Sequence, residues 1–142
     1  MRMRKSNLNL AICSVLLLVV ILACSMSTAN LSSLKVSKDK AGSSETSTFG
    51  PNDTVYVVGT VSNAPGKVKV KGLLAFDDVA GQQPGPIPGL EKILDLEGSG
   101  TATYTFTPPP AGWPKGKYKV EVTLMDDSGA QKDQKSATFT IS

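Results

Sequence analysis

The sequence contains no histidine, only two cysteines and a single tryptophan. Without histidine, the Ser-His-Asp and Cys-His arrangements of nucleophilic catalysis and most zinc and copper sites are excluded. Serine and lysine are present, but no flanking motif indicates that one of them is a nucleophile. We therefore expect a protein that is not an enzyme, with no catalytic residue, no metal and no cofactor.

Both cysteines lie near the start of the chain, in or beside a short apolar run. Basic residues in the segment MRMRKS precede this run, which carries no charge and ends at Ala23. Such a layout is typical of a secretory signal peptide. The run is short for a permanent membrane span, which needs about 20 apolar residues, and no basic stop-transfer cluster follows it. An uncleaved anchor helix is the alternative.

The last four residues of this region, Ile21-Leu22-Ala23-Cys24, resemble the lipobox of bacterial lipoproteins. The resemblance implies that the Cys24 thiol is alkylated with diacylglycerol and that cleavage before it removes residues 1–23 as a signal peptide. Only a thiol forms the thioether, and a small residue such as Ala23 seats the cleavage site. The alternative is that Cys24 is merely part of the apolar run, as we expect of Cys13.

Lipidation of Cys24 predicts a protein that is anchored to a membrane of the cell envelope and faces outside the cytoplasm. Two or three acyl chains would hold such a protein in the membrane almost permanently. In a host with two membranes, Ser25 after the cysteine indicates the outer membrane. Removal of the signal takes three of the 15 basic residues, which leaves 12 basic against 12 acidic residues. This balance gives no support for a nucleic-acid partner, and the mature chain has no pair of thiols for an internal disulfide.

Beyond the signal, the chain is rich in residues that suit a tether and then β-strands. Residues 24–33 are small and polar and predict a flexible tether. From Phe49 onward apolar and polar residues alternate, which is typical of half-buried antiparallel strands. Turn sequences separate the runs, while Gly89–Leu96 fits either a helical turn or a short strand. The pattern predicts one two-sheet sandwich over residues 34–142, with its core in residues 50–142.

The segment Gly116-Lys-Tyr118-Lys-Val120 resembles the tyrosine corner of immunoglobulin-like domains, in which a small residue stands two positions before a tyrosine that opens the sixth strand. The resemblance implies an all-β fold, an immunoglobulin-like antiparallel β-sandwich, with Gly116 and Tyr118 in structural roles. Val120 stands where antibody domains carry cysteine, so the resemblance implies a domain of the bacterial surface type.

Two acidic pairs, Asp77-Asp78 and Asp126-Asp127, are candidates for calcium binding or acid–base chemistry. Neighbours on a strand point to opposite faces of a sheet, so neither pair alone is a dyad. In immunoglobulin strand order the two pairs lie at opposite poles of the sandwich. We predict that both pairs form turns, with calcium ligation as the alternative.

Three loops gather at one pole in this topology: residues 41–52, 80–89 and 107–116. The second and third are rich in proline, which favours extended backbone that loses little entropy on binding. The candidate ligand-binding residues are therefore Trp113, Gln82, Gln83 and Ile87. The alternative for Trp113 is that its ring folds back and caps the sandwich.

These observations predict a lipid-anchored, non-catalytic module that binds or spaces a protein or glycan partner at the cell envelope. Two other functions stay open. One is an inhibitor of secreted proteases that presents the proline-rich loop in extended form, and the other is a structural subunit of a surface assembly.

Replacing Cys24 with Ser is expected to leave unprocessed precursor and to abolish labelling by a radioactive or clickable fatty acid, because serine forms no thioether. Cys13→Ser is the matched control and should be processed and labelled normally. Normal labelling of Cys24→Ser would overturn the assignment.

Overall fold

The computed structural model describes residues 29–142, which form a sandwich of two β-sheets. Cys13, Cys24 and the whole predicted signal peptide lie outside the described residues. No helix between residues 29 and 142 is long and apolar enough to cross a membrane. The strands are β1 Asn30–Ser37, β2 Thr48–Phe49, β3 Val55–Ser62, β4 Val68–Val79, β5 Gly85–Leu96, β6 Gly100–Phe106, β7 Gly116–Asp126 and β8 Gln131–Ile141.

The strand order is that of an immunoglobulin-like sandwich, as the sequence predicts. One sheet has the order β1-β3-β6, and the other has the order β2-β8-β7-β4-β5. All pairs are antiparallel except β2 with β8. Gly89–Leu96, which fitted a helical turn or a strand, belongs to β5.

Strand direction gives the sandwich two distinct ends. We call the end where β1 begins the N-terminal pole, since Asn30 lies opposite Ser62 there. We call the end where β8 finishes the C-terminal pole, where Ile141 lies opposite Gly116. The loops that precede β3, follow β4 and follow β6 therefore meet at the C-terminal pole.

The core lies between the sheets and is built from the alternating apolar residues. Val55 and Val57 of β3 and Val120 and Val122 of β7 are fully buried. Because side chains on a strand alternate between its two faces, each of these strands places every second residue in the core. Burying one such side chain contributes roughly 1.5–3 kcal/mol.

Tyr104 of β6 connects the two sheets through the core. Its hydroxyl donates a 2.6 Å hydrogen bond to the backbone carbonyl of Val70 in β4. The ring lies over Gly72, where an added Cβ would stand 2.7 Å from the nearest ring carbons. Burial raises the pKa of the Tyr104 hydroxyl well above its usual value, so the group stays a donor. Glycine at position 72 is required because the tyrosine ring occupies the space of a side chain.

The predicted boundary between the tether and the sandwich, at residues 33 and 34, is wrong. Residues 30–33 belong to β1, and Leu31 is buried in the core. The Leu31 amide also donates a 2.8 Å hydrogen bond to the Asp133 carboxylate of β8. Ser32 and Ser33 interrupt the alternation in the first half of β1, which makes residues 30–33 resemble a linker. The core likewise extends beyond residues 50–142, since Val36 and Phe49 contribute to it.

A fragment of residues 50–142 is therefore expected to lack a cooperative unfolding transition, whereas residues 29–142 should unfold cooperatively. The shorter fragment loses Leu31, Val36 and Phe49, at roughly 1.5–3 kcal/mol each, out of a total stability that is typically about 5–15 kcal/mol. Urea denaturation, monitored by circular dichroism, measures the unfolding transition of each fragment. Equal midpoints for the two fragments would show that β1 is dispensable.

Candidate functional site

An apolar cleft opens at the C-terminal pole, between the first half of β5 and the loop that joins β6 to β7. Its volume is about 440 Å³, within the range of roughly 300–1,000 Å³ that is usual for ligand pockets. None of the described residues that line it is charged: Phe76, Ile87, Pro88, Leu90, Thr107, Pro108, Pro109, Trp113 and Pro114.

The first wall of the cleft is a bend in β5. Pro86 lies opposite Ala75 of β4, and Glu91 lies opposite Leu73, so residues 87–90 all stand opposite the single residue 74. Proline at 86 and 88 has no amide hydrogen for the ladder, and Gly89 has a φ of +81°. The bend turns Ile87 and Leu90 onto the edge of the core.

Trp113 fixes the second wall, the loop between β6 and β7. Its backbone amide donates a 2.7 Å hydrogen bond to the Pro51 carbonyl. Its indole Nε1 donates a 2.8 Å hydrogen bond to the Asp53 carbonyl. The ring packs edge-on against Tyr118, with centroids 6.0 Å apart. Only 6% of the residue is exposed, so Trp113 caps the sandwich and offers the cleft a small part of its surface.

Tyr118 holds the end of the same loop. Its hydroxyl donates a 2.6 Å hydrogen bond to the Pro114 carbonyl, which is the backbone contact that the tyrosine corner implies. Burial raises the pKa of this hydroxyl. Gly116 has a φ of +146°, and a Cβ there would lie 2.6 Å from the Asp78 carbonyl. Both features require glycine at 116, because the backbone of β4 passes too close for any side chain.

The structure brings together two of the four predicted ligand-binding residues. Ile87 and Trp113 line the cleft. Gln82 and Gln83 lie in the exposed turn between β4 and β5 and are not part of the lining. The prediction that Gln82 and Gln83 share a site with Trp113 therefore has no support from the cleft.

The prediction for the acidic pairs holds for one pair and is wrong for the other. Asp126 ends β7, and its carboxylate accepts hydrogen bonds from the Ser128 hydroxyl and the Ala130 amide. These bonds lower the pKa of Asp126 to about 2. Asp77 and Asp78 lie within β4, where the register shifts beside Lys117.

The two acidic pairs lie at opposite poles, because Asp126 is opposite Val68 at the start of β4 while Asp78 is near its end. Within residues 29–142, no group of three or more acidic, histidine or cysteine side chains is placed to hold a metal ion.

No protein-family model matches the chain, and no curated protein does. Solved structures match it in shape. β-Glucuronidase 2 of Bacteroides uniformis, bound to cyclophellitol-6-carboxylate aziridine, has a TM-score of 0.53 and 17% identity over 80% of this chain and 14% of the enzyme. A second B. uniformis β-glucuronidase structure has a TM-score of 0.52 and 16% identity over the same shares. At this identity, the likeness is one of fold. This chain spans 14% of the length of either enzyme.

Sequence reasoning missed most of the cleft. Phe76, Leu90, Pro108 and Pro114 line the cleft, but none of them is among the residues that the sequence predicts to bind a ligand. Leu90 enters the lining because the bend shifts the register of β5, which alternation alone does not reveal. The segment Pro86-Ile-Pro-Gly89 inside a strand was the available signal, since proline and glycine in a strand mark bends and bulges.

Tyr118→Phe is expected to lower the free energy of unfolding by about 1 kcal/mol, because it removes one partly buried hydrogen bond. Tyr56→Phe is the matched control. Tyr56 is half-buried on the outer face of the smaller sheet, and its hydroxyl makes no hydrogen bond within residues 29–142. Chemical denaturation measures the free energy of unfolding of both variants. An equal loss of free energy in the two variants would contradict a role for the hydrogen bond from Tyr118 to Pro114.

Proposed function

We propose that this protein is a lipid-anchored, non-catalytic binding module of the bacterial cell envelope, and that the cleft at the C-terminal pole receives an apolar part of its partner. The single observation that carries the binding role is an apolar cleft of about 440 Å³ without a charged residue in its lining. The anchoring role rests on the resemblance of residues 21–24 to a lipobox.

A non-catalytic role is supported by the chemistry of the cleft. Thr107 carries the only hydroxyl group among the described residues that line the cleft, and no acid, base or amine is among them. A hydroxyl needs such a neighbour to act as a nucleophile near neutral pH. The fold similarity fits this proposal, because the matched region is 14% of the glucuronidase chains.

The hydrogen-bonding groups around the cleft favour an apolar ligand over a glycan. The two donors of Trp113 are already bonded to the Pro51 and Asp53 carbonyls. The Tyr118 hydroxyl is bonded to Pro114, and the prolines have no amide hydrogen. Apart from the Thr107 hydroxyl, the lining side chains offer a buried sugar no free hydrogen-bond partner, and each polar group of the sugar left unpaired would cost about 1–3 kcal/mol. A large aliphatic or aromatic side chain of a partner protein has no such cost.

The protease-inhibitor alternative has less support. Its loop needs an extended segment, but the Gly112 amide bonds back to the Pro109 carbonyl at 2.8 Å and closes a turn. Gly112 is also packed against Pro51, since a Cβ there would lie 3.0 Å from the Pro51 carbonyl. A role as a subunit of a surface assembly remains compatible with the proposal, because the cleft would then receive the neighbouring subunit.

Ile87→Asp tests the cleft, and Ile93→Asp is the matched control. Both residues lie on β5, but Ile93 is 51% exposed and lies outside the cleft. We expect Ile87→Asp to reduce partner recovery from solubilised envelope about tenfold or more, since an isoleucine side chain contributes roughly 1.5–3 kcal/mol on burial. Ile93→Asp should leave recovery unchanged.

Recovery is measured by quantitative mass spectrometry against the unsubstituted protein, and the free energy of unfolding of each variant is measured alongside it. Equal recovery with both variants, at equal stability, would overturn the cleft as the binding site.

A further inference from the structure

The outer edge of β6 differs from the other sheet edges of this sandwich. Among the strands of residues 29–142, β6 is the last one in the smaller sheet and pairs only with β3. An edge strand presents unpaired amides and carbonyls that can bind another strand, so proteins usually block such edges. The four edge strands are β1, β2, β5 and β6.

The edge of β1 is covered by the protein itself. The chain folds back after β1, so that the Thr46 amide donates a 3.0 Å hydrogen bond to the Val36 carbonyl. Ser37 forms an isolated antiparallel bridge with Glu45. At the other end of the strand, the Leu31 amide is bonded to Asp133 of β8. No continuous run of free backbone groups is left on this edge.

The remaining two edges are blocked by length and by sequence. β2 is only two residues long. β5 contains Pro86 and Pro88, the bend over residues 87–90, and three exposed charged residues, Glu91, Lys92 and Asp95. Proline, bends and charges are the features by which natural edge strands avoid pairing.

β6 has none of these features. Its seven residues, Gly100–Phe106, include no charge and no proline. Its ladder with β3 continues from Gly100 to Phe106 without a register shift. No group within residues 29–142 bonds to the outward backbone groups of this strand. The threonines Thr101 and Thr105 are exposed, and Thr103 is half-buried.

We propose that a second copy of this chain pairs with β6 along this edge, strand against strand and antiparallel, about a two-fold axis at Thr103. The two smaller sheets then form one continuous six-stranded sheet across the pair. This proposal does not depend on the cleft or on its ligand.

The sequence of β6 is complementary to itself in that register. Thr103 lies opposite Thr103 of the second copy, and Thr101 lies opposite Thr105. Threonine pairs across antiparallel strands are favourable, and like charges directly opposite each other, which destabilise such pairs, are absent. A single self-complementary patch is what a two-fold dimer requires, and this symmetry is the commonest among homo-oligomers.

Antiparallel pairing places the N-terminal poles at opposite ends of the dimer. The chain from Cys24 to Ala29 reaches at most about 18 Å. If Cys24 is anchored, both copies can reach one membrane when the strands lie along its surface. The dimer then exposes both clefts at its two ends.

Disulfide trapping in the full-length protein tests the register. The mature chain as we infer it has no free thiol, so an introduced cysteine is the only reactive one. Residue 103 lies opposite itself, where Cβ atoms are about 4.5–5.5 Å apart, close to the separation that a disulfide spans. Residue 101 lies opposite residue 105 of the second copy, which is four positions along the strand from residue 101 of that copy. The two residues 101 are therefore about 13 Å apart.

After mild oxidation in intact cells, we expect Thr103→Cys to migrate as a disulfide-linked dimer on non-reducing gels. Thr101→Cys should remain monomeric, and the double variant with Thr101→Cys and Thr105→Cys should cross-link. Thr138→Cys is a control for random collisions, since Thr138 is exposed on β8, which pairs along its length with β7. The unsubstituted protein controls for Cys13 and Cys24.

Cross-linking of Thr103→Cys that does not exceed that of Thr138→Cys would overturn the proposal. Equal cross-linking of Thr101→Cys and Thr103→Cys would also overturn it, because the register would not be the symmetric one. Partner recovery through the cleft is measured separately, so failure of the dimer and failure of the binding function are distinguishable.

Discussion

The packing of Trp113 beneath the C-terminal pole is the constraint on which the rest of this end depends. Its two N–H groups bond to the loop that precedes β3, and its ring packs on Tyr118 of β7. The loop between β6 and β7 is therefore tied to two other parts of the sandwich. Pro108 and Pro114 of this tied loop form part of the cleft wall.

The same contact determines the chemical character of the cleft. Since the donors of Trp113 and the hydroxyl of Tyr118 are used within the protein, the cleft presents mainly carbon atoms to solvent, with the Thr107 hydroxyl among them. Buried polar groups of native proteins are almost always paired in this way. An apolar surface beside satisfied polar groups is the usual composition of the centre of a binding site, where charged residues are depleted.

The sequence predicts the regular part of the fold well. Alternation identified β3, β4, β6 and β7, because each has one face in the core and one face towards solvent. The resemblance of the segment around Gly116 and Tyr118 to a tyrosine corner predicted the immunoglobulin-like strand order of the two sheets. These features depend on local patterns, which a single sequence carries.

The parts that sequence reasoning missed depend on contacts between distant residues. Residues 30–33 of β1 were assigned to the tether because serines hide the alternation there, and Leu31 is a core residue only through its packing within the folded sandwich. The bend in β5 changes which side chains reach the cleft, so Leu90 was not recognised. Trp113 was placed in the right loop, but the direction of its ring depends on the carbonyls of Pro51 and Asp53. Irregular elements of this kind are concentrated at candidate sites, where local rules are expected to fail.

The fold that this chain shares with part of the two glucuronidases does not assign a function to the cleft, since one fold supports many functions. Both walls of the cleft are departures from the regular sandwich: a bend with two prolines on one side and a proline-rich loop on the other. The inter-sheet contact of Tyr104 with Val70 and Gly72 lies in the regular part. The scaffold and the site are thus built by separate sets of residues.

The positions of the first and last strands have a mechanical consequence. β1 begins at one pole and β8 finishes at the other, so a force that pulls these two points apart acts along the strands. The hydrogen bonds of an antiparallel ladder are perpendicular to the strands, so such a force shears the bonds between β1 and β3 together and does not open them one at a time. A domain held at its start by a membrane and pulled from its far end would resist extension through this geometry.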